Sequence, residues 1–304
     1  METRVPKGHR NIGAPVRWGA RSVPGVLAPL DDQARFLGIE AADEDDGAAR
    51  WRVRIGQQHL NPGGTLYGGQ GIAAAAWAME AITGQPLLWT TTRFVDTARL
   101  DDELELTASV DAAGKRTSQV SVRATRGDDL VVEAWGACGV GADTGPTEQW
   151  VSMPEVPRPE DCAPTPSLGI LPPSFLDTLE RRMALGTFPA PGAEPGPAHI
   201  AMWTRVLDHD TTTAPMLSWL GDCMPLAVAV ALGRIPFGTS LDNTVRLLGR
   251  QPSEWVLADI RAKGAIRGYS YGDVDLWSED GELLATATQT AAIKPSPFNV
   301  PPSP

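Results

Sequence analysis

Asp222 is the residue whose surroundings most call for a chemical explanation. It lies in MLSWLGDCMPLAVAVALG, residues 216–233, a run of apolar and small side chains with no basic residue. A helix that is apolar on nearly every side must be buried on every side. Burial penalises an ionised carboxylate, so such an acid either braces a turn through firm hydrogen bonds or is placed there for proton transfer. The neighbouring Cys223 has no histidine near it in sequence to activate a thiolate and reads as packing. A serine hydrolase would want a G-x-S-x-G turn, which the chain lacks.

Metal chemistry finds no spacing to support it. The four histidines, His9, His59, His199 and His209, form no H-x-x-x-H or H-E-x-x-H pattern. Cys138, Cys162 and Cys223 form no C-x-x-C pair, so neither a zinc site nor a disulfide framework is expected. Free thiols point to a reducing compartment, and with no apolar leader in METRVPKGHRNIG and no run of about 18 apolar residues, the expectation is a cytoplasmic protein with no membrane partner. A net charge of -11 argues against nucleic acid as a partner.

The elements that would position Asp222 come from the pattern along the chain. Residues 1–30 are rich in Arg, Pro and Gly without periodicity and read as an arm. DDQARFLGIE reads as a short helix, and residues 51–55 as a strand. Residues 69–83, GQGIAAAAWAMEAIT, form a second almost wholly apolar helix, crowded with alanine and opened by glycines, so that other backbones can approach and wrap it. Strand-like stretches follow at 87–95, 103–111, 117–125 and 130–140. One buried helix followed by antiparallel strands is an α+β pattern.

Twelve of the 27 prolines fall in residues 141–197, which read as a linker carrying one helical piece, SFLDTLERRMAL. Beyond it the first pattern returns: a strand at 199–206, the buried helix at 216–233, and strands at 240–248, 255–262, 269–277 and 283–293. Laying GDDLVVEAWGACGV on DGELLATATQTAAI gives an offset of 153 residues, which places Asp222 on Gly69, Gln289 on Gly136 and Arg246 on Arg93. The chain is internally duplicated. The expected organisation is an arm (1–30), a first domain (31–140), a proline-rich linker (141–197), a second domain (198–294) and a tail (295–304).

A long buried helix wrapped by an antiparallel sheet, present twice, resembles the double hot-dog fold. More narrowly the chain resembles the type II acyl-CoA thioesterases, through LYGGQGIAAAA in the first half and WLGD, TSLDNTVRLL and DGELLATATQTA in the second. The resemblance spans roughly residues 35–294. It implies a hydrolase that cleaves an acyl-CoA thioester without a cofactor. It also implies that an Asp on the second helix, a Ser or Thr at the start of the next strand and a Gln on the last strand hold a water molecule. Carried over, these are Asp222, Ser240 (with Thr239 beside it) and Gln289. The chemistry is coherent: a carboxylate in an apolar site takes a proton from water, while a hydroxyl and an amide orient that water.

The duplication adds that the two halves are not equivalent, since the acid and the amide occur only in the second. Glycines opening the first helix leave backbone N–H groups unobstructed, so Gly68, Gly69 and Gln70 are expected to face Asp222 as the oxyanion and substrate-binding side of one composite site. Where the family strand commonly continues with Asp-His, large aromatics and Arg-Pro, this one reads LDNTVRLL, so substrate choice is not carried over. That departure keeps two alternatives open: a non-catalytic acyl-CoA-binding scaffold, and an enzyme acting on carrier-bound acyl or polyketide thioesters. Exposed strand edges favour assembly into a homo-oligomer.

Overall fold

The computed structural model describes residues 31–41, 49–141, 145–165, 172–188, 193–234, 237–249 and 251–294. The arm expected at 1–30 and the tail at 295–304 lie outside them. In the first half, a short helix α1 (Asp32–Phe36) precedes strands β1 (Ile39–Ala41) and β2 (Ala49–Arg54). The long helix α2 (Gly68–Thr83) comes next, followed by β3 (Leu87–Phe94), β4 (Glu103–Ala113), β5 (Thr117–Arg126) and β6 (Asp129–Gly139). The second half contains β7 (Leu179–Leu185), β8 (His199–Val206), helices α3 (Ala214–Leu220) and α4 (Pro225–Leu232), and strands β9 (Phe237–Leu247), β10 (Val256–Ile266), β11 (Tyr269–Ser278) and β12 (Leu283–Lys294).

All twelve strands form one antiparallel sheet in the order β1-β2-β4-β5-β6-β3-β9-β12-β11-β10-β8-β7. Each half contributes six consecutive strands, and the second set mirrors the first about the β3–β9 pair. At the centre of that pair Thr91 lies opposite Thr244, their hydroxyls 2.9 Å apart. These residues are 153 positions apart, so the pseudo-twofold axis of the duplication passes between them. α2 is apolar all round because it is enclosed all round: β3 to β6 wrap it and α3 packs against it. Its alanine run favours helix, and Gly84, with φ 62°, ends it in the left-handed conformation that glycine adopts without strain.

Two expectations are corrected. The buried helix expected at 216–233 is two helices, α3 and α4, separated by Gly221–Met224. Pro225 is the cause: it has no N–H to donate and its ring clashes with the carbonyl four residues earlier, but it fits the first turn of a new helix. Together residues 214–232 are long and apolar enough by composition to cross a membrane, yet 72% of the stretch is buried inside this fold.

The second correction concerns SFLDTLERRMAL. It forms a single 3-10 turn, Phe175–Thr178, and then β7, whose backbone pairs with β8. Leu179 and Met183 both pack on the core, a spacing that suits either a helix or a strand, and pairing with β8 decides for strand. The sheet of the second half therefore begins inside the proline-rich segment.

Within that segment, residues 149–162 lie across the outer face of the second half. Met153, Val156 and Cys162 pack on Trp203, Trp255, Leu257 and Trp277. Trp203 Nε1 donates to Pro157 O at 2.8 Å, Arg182 Nη1 to Pro159 O at 2.9 Å, and Gln149 bonds both Gly281 O and the Leu283 N–H. Proline suits such a strap, because its carbonyls accept bonds from the sheet while no ladder of its own N–H groups has to be satisfied.

Candidate active site

Asp222 sits in the break between α3 and α4, at the seam between the halves. Its side chain is buried, with 5% relative exposure, and is held from both halves. From the first half, the Gly69 N–H in the opening turn of α2 donates to Oδ2 at 2.8 Å. From the second, Gln289 Nε2 on β12 donates to Oδ1 at 2.5 Å, and Ser240 Oγ on β9 donates to the same oxygen over 3.4 Å. Gln289 Nε2 also donates to Ser240 Oγ at 2.7 Å. The directions are fixed: a carboxylate only accepts, so the amide turns its NH₂ toward Asp222, and the Ser240 hydroxyl accepts from Gln289 while donating to Asp222.

Local structure explains why these side chains meet. Asn243 pairs with Gln289 across β9 and β12, and both face inward. Simple alternation would send Leu241 inward as well. A register shift between Asp242 and Ser240 inserts Leu241 as a bulge, leaving its side chain exposed and turning Ser240 inward beside Gln289. Asn243 Nδ2 donates to Gly221 O at 3.1 Å and so pins the break that carries the acid.

The first half cannot carry the same pair. A Cβ on Gly136 would collide with the Trp89 carbonyl and approach Met79 Sδ to 2.9 Å, so nothing larger than glycine fits where Gln289 stands in the other repeat.

Burial raises the Asp222 pKa to about 7, against the opposing effect of the Gly69 N–H, Ser240, Asn243 and Gln289. The Asn243 amide contributes to that stabilisation although its hydrogen bond goes to the Gly221 carbonyl. The buried Oε1 of Gln289 and Oδ1 of Asn243 have no partner among the described residues, so both remain acceptors for a donor entering the site. Desolvation and the adjacent Asp222 carboxylate push the Cys223 thiol pKa up, away from the thiolate form that a nucleophile needs.

Of the three residues expected to face Asp222, Gly68 and Gly69 lie against its carboxylate and Gln70 does not. A Cβ on Gly68 would lie 2.5 Å from Asp222 Oδ2 and 3.1 Å from Phe94 Cζ, so glycine is what lets the backbone come against the carboxylate. The Gly69 N–H is taken by Asp222 and is not open to a ligand. Gln70 turns into the first half, where its Nε2 donates to Leu37 O at 2.7 Å.

The sequence reading missed Asn243 and an aromatic clamp. Tyr67, the residue before α2, donates its hydroxyl to Trp219 O at 3.0 Å and stacks on Phe175 with ring centroids 3.8 Å apart, while Trp219 meets both rings edge-on. Burial, then the Asp222 charge, raises the Tyr67 pKa and keeps it a neutral donor. The inward face of Asn243 could have been read from strand alternation, but the clamp joins three distant segments and leaves no local signal.

A helix wrapped by an antiparallel sheet, present twice in one chain, is the double hot-dog fold. Family models place the chain within it: the acyl-CoA thioesterase N-terminal domain matches residues 57–139 and the C-terminal domain residues 159–293. The chain belongs to the acyl-CoA thioesterase family. Among solved structures it resembles a protein of Novosphingobium aromaticivorans assigned as a thioesterase, with 28% identity, a TM-score of 0.72, and 85% of this chain and 99% of that one covered. It shares its fold with a tesB protein of Mycobacterium avium subsp. paratuberculosis, at 20% identity and TM-score 0.67, covering 87% of this chain and 98% of that one. The acyl-CoA thioesterase II TesB2 of Mycobacterium marinum also has this fold, at 16% identity and TM-score 0.65, covering 87% and 99%. No curated protein matches the sequence significantly.

Proposed function

We propose that this protein hydrolyses acyl-CoA thioesters with water activated by Asp222. The observation that carries this reading is the Asp222 site itself: a buried carboxylate with a pKa of about 7, joined on one oxygen by a hydroxyl and an amide and on the other by a backbone N–H from the opposite repeat. A base with that pKa is poised to take a proton near neutral pH. Ser240, Gln289 and Asn243 would orient the water, whose oxygen attacks the thioester carbonyl carbon as its proton passes to Asp222.

The tetrahedral oxyanion would form beside Gly68, whose N–H in the opening turn of α2 has no partner among the described residues. Collapse breaks the C–S bond, the thiolate of coenzyme A leaves, and the proton held by Asp222 returns to it. No covalent enzyme intermediate is required.

The test is thiol release from an acyl-CoA panel by the wild type and by Asp222→Asn, with the same acyl groups also presented on an acyl carrier protein. Hydrolysis of the CoA esters that falls by about 10²–10⁴-fold in the variant is the expected result. Turnover of the carrier-bound esters alone would replace the substrate. Absence of turnover with either would remove the enzymatic reading.

A further inference from the structure

The two arginines of β7 lie on opposite faces of the sheet, and only one of them has a partner. Arg182 faces outward, where it donates to Glu180 and to the Pro159 carbonyl and lies over the Trp255 ring. Arg181 faces the core between Leu179 and Met183, and it is half-buried. Its Nε is buried with no partner among the described residues, and its guanidinium lies 5.3 Å from the centroid of Phe188. Burial lowers its pKa, with the Asp177 charge opposing, but that carboxylate is bonded to the Ser174 N–H.

Two hydroxyls flank Arg181 in the same condition. Thr204 of β8 pairs with it directly and shares the face of Ile200 and Val206. On the other side Pro164 pairs with Arg182, and the Thr165 N–H donates to the Arg181 carbonyl at 2.7 Å. Antiparallel pairing therefore sets Thr165 opposite Arg181, and neighbours in such a row stand about 5 Å apart at Cβ. Thr165 Oγ1 and Thr204 Oγ1 are buried, and neither has a partner among the described residues. A guanidinium between two hydroxyls is a set of donors that lacks its acceptor.

The first repeat fills the same place with hydrocarbon. Val206 lies opposite Leu179 as Val53 lies opposite Ile39, so the Arg181–Thr204 pair corresponds to Ala41–Trp51. Trp51 and Trp77 of α2 meet there edge to face, with ring centroids 5.3 Å apart. At the 153-residue offset their counterparts are Thr204 and Val230, both smaller. The fold therefore does not require the polar row. The row is also close along the chain to the active-site seam, because the 3-10 turn before Leu179 carries Phe175 onto Tyr67.

We propose that Arg181, Thr204 and Thr165 bind an oxyanion of the ligand, a carboxylate or a phosphate, on the core side of β7. Such a group accepts from Nε and the adjacent Nη of a guanidinium as a fork, while the hydroxyls donate to its remaining lone pairs. For the identity of the ligand this rests on the thioesterase reading, under which two sources offer that chemistry. One is a carboxylate at the far end of the acyl chain, and the other is a phosphate of coenzyme A.

The test is calorimetric titration of the wild type, Arg181→Met, Thr204→Val and Arg123→Met, the last removing an exposed charge of the first half. The ligands are an S-alkyl coenzyme A thioether, its ω-carboxyalkyl counterpart of equal length, and the S-alkyl pantetheine, which has no phosphate. Thermal unfolding of the same proteins is followed with inorganic phosphate and with glutarate, and thiol release from the matching acyl-CoAs is measured in parallel. Arg181→Met should weaken the anion-bearing thioether about 10- to 100-fold and Thr204→Val about three- to tenfold, with Arg123→Met behaving as the wild type. Phosphate or glutarate should raise the Tm of the wild type and not that of Arg181→Met. Thr204→Val decides the matter if Arg181→Met does not fold.

A loss confined to the carboxyalkyl thioether would assign the site to an acyl carboxylate. A loss shared by both coenzyme A thioethers and absent with the pantetheine would assign it to a phosphate of coenzyme A. Anion binding that depends on Arg181, without hydrolysis by the wild type, would sink the catalytic reading and leave the site standing. Binding and unfolding that neither Arg181→Met nor Thr204→Val changes, or that Arg123→Met changes equally, would overturn the inference whether or not the wild type hydrolyses thioesters.

Discussion

A carboxylate with 5% relative exposure and a pKa near 7 stores a pH-dependent penalty in the folded state. In the unfolded chain Asp222 has its ordinary pKa near 3.8, so the folded state binds the proton more tightly. Below that value the group is neutral in both states and carries no penalty. As pH rises through the folded value of about 7, stability is lost, in total by about 4 kcal/mol for a shift of this size. Asp222→Asn has no charge to bury, so denaturant unfolding at pH 4 and pH 8 should show this loss in the wild type and not in the variant. Equal pH dependence in both would mean that the carboxylate is not the titrating group.

Gln289 has the opposite influence, because its NH₂ favours the charged form. Gln289→Ala should lower kcat by about 10²-fold and move the pH midpoint of activity upward. The acid, the hydroxyl and the amide were legible in the sequence because their types are unusual for their surroundings or match a known family pattern. Asn243 and Tyr67 were not, since both also look like ordinary residues of a strand and of a loop.

At the scale of elements, three irregularities build the site: the α3–α4 break, the Leu241 bulge and the glycine start of α2. The Pro225 that causes the break is plain in the sequence, but the apolar run around it reads as one buried helix. Composition reports burial and says little about continuity. The bulge was illegible, because a one-residue shift in pairing depends on the partner strand.

The glycines give the sharpest test at this scale. Gly68→Ala places a methyl 2.5 Å from Asp222 Oδ2 and 3.1 Å from Phe94. It should reduce kcat/KM by about 10²-fold through misplacement of the base, and lower stability by about 1–3 kcal/mol through overpacking. A variant with native activity would show that the opening of α2 does not need to lie against the acid.

For the whole molecule, the duplication read from the sequence is the one that meets at the seam. The same 153-residue offset relates Thr91 to Thr244 across β3 and β9, and Gly69 to Asp222 across the seam. What the sequence could not convey is that the proline-rich segment supplies β7 and a strap, since both are set by contacts between distant segments.

A shared sheet and seam predict a single cooperative unfolding transition, with near-ultraviolet and far-ultraviolet signals coinciding. Two separated transitions would mean that the halves are energetically independent. The Thr91 and Thr244 hydroxyls should be coupled by up to about 1 kcal/mol in a double-mutant cycle with valine at each position.

The most direct test of the central claim is the pH dependence of kcat/KM for one hydrolysed acyl-CoA, measured in the wild type and in Asp222→Asn. Activity should rise with pH through a midpoint near 7 as the carboxylate loses its proton, and the variant should lose that activity by orders of magnitude at every pH. A wild-type profile that is flat across neutrality, or a variant that keeps the wild-type rate and profile, would contradict the assignment of Asp222 as the base.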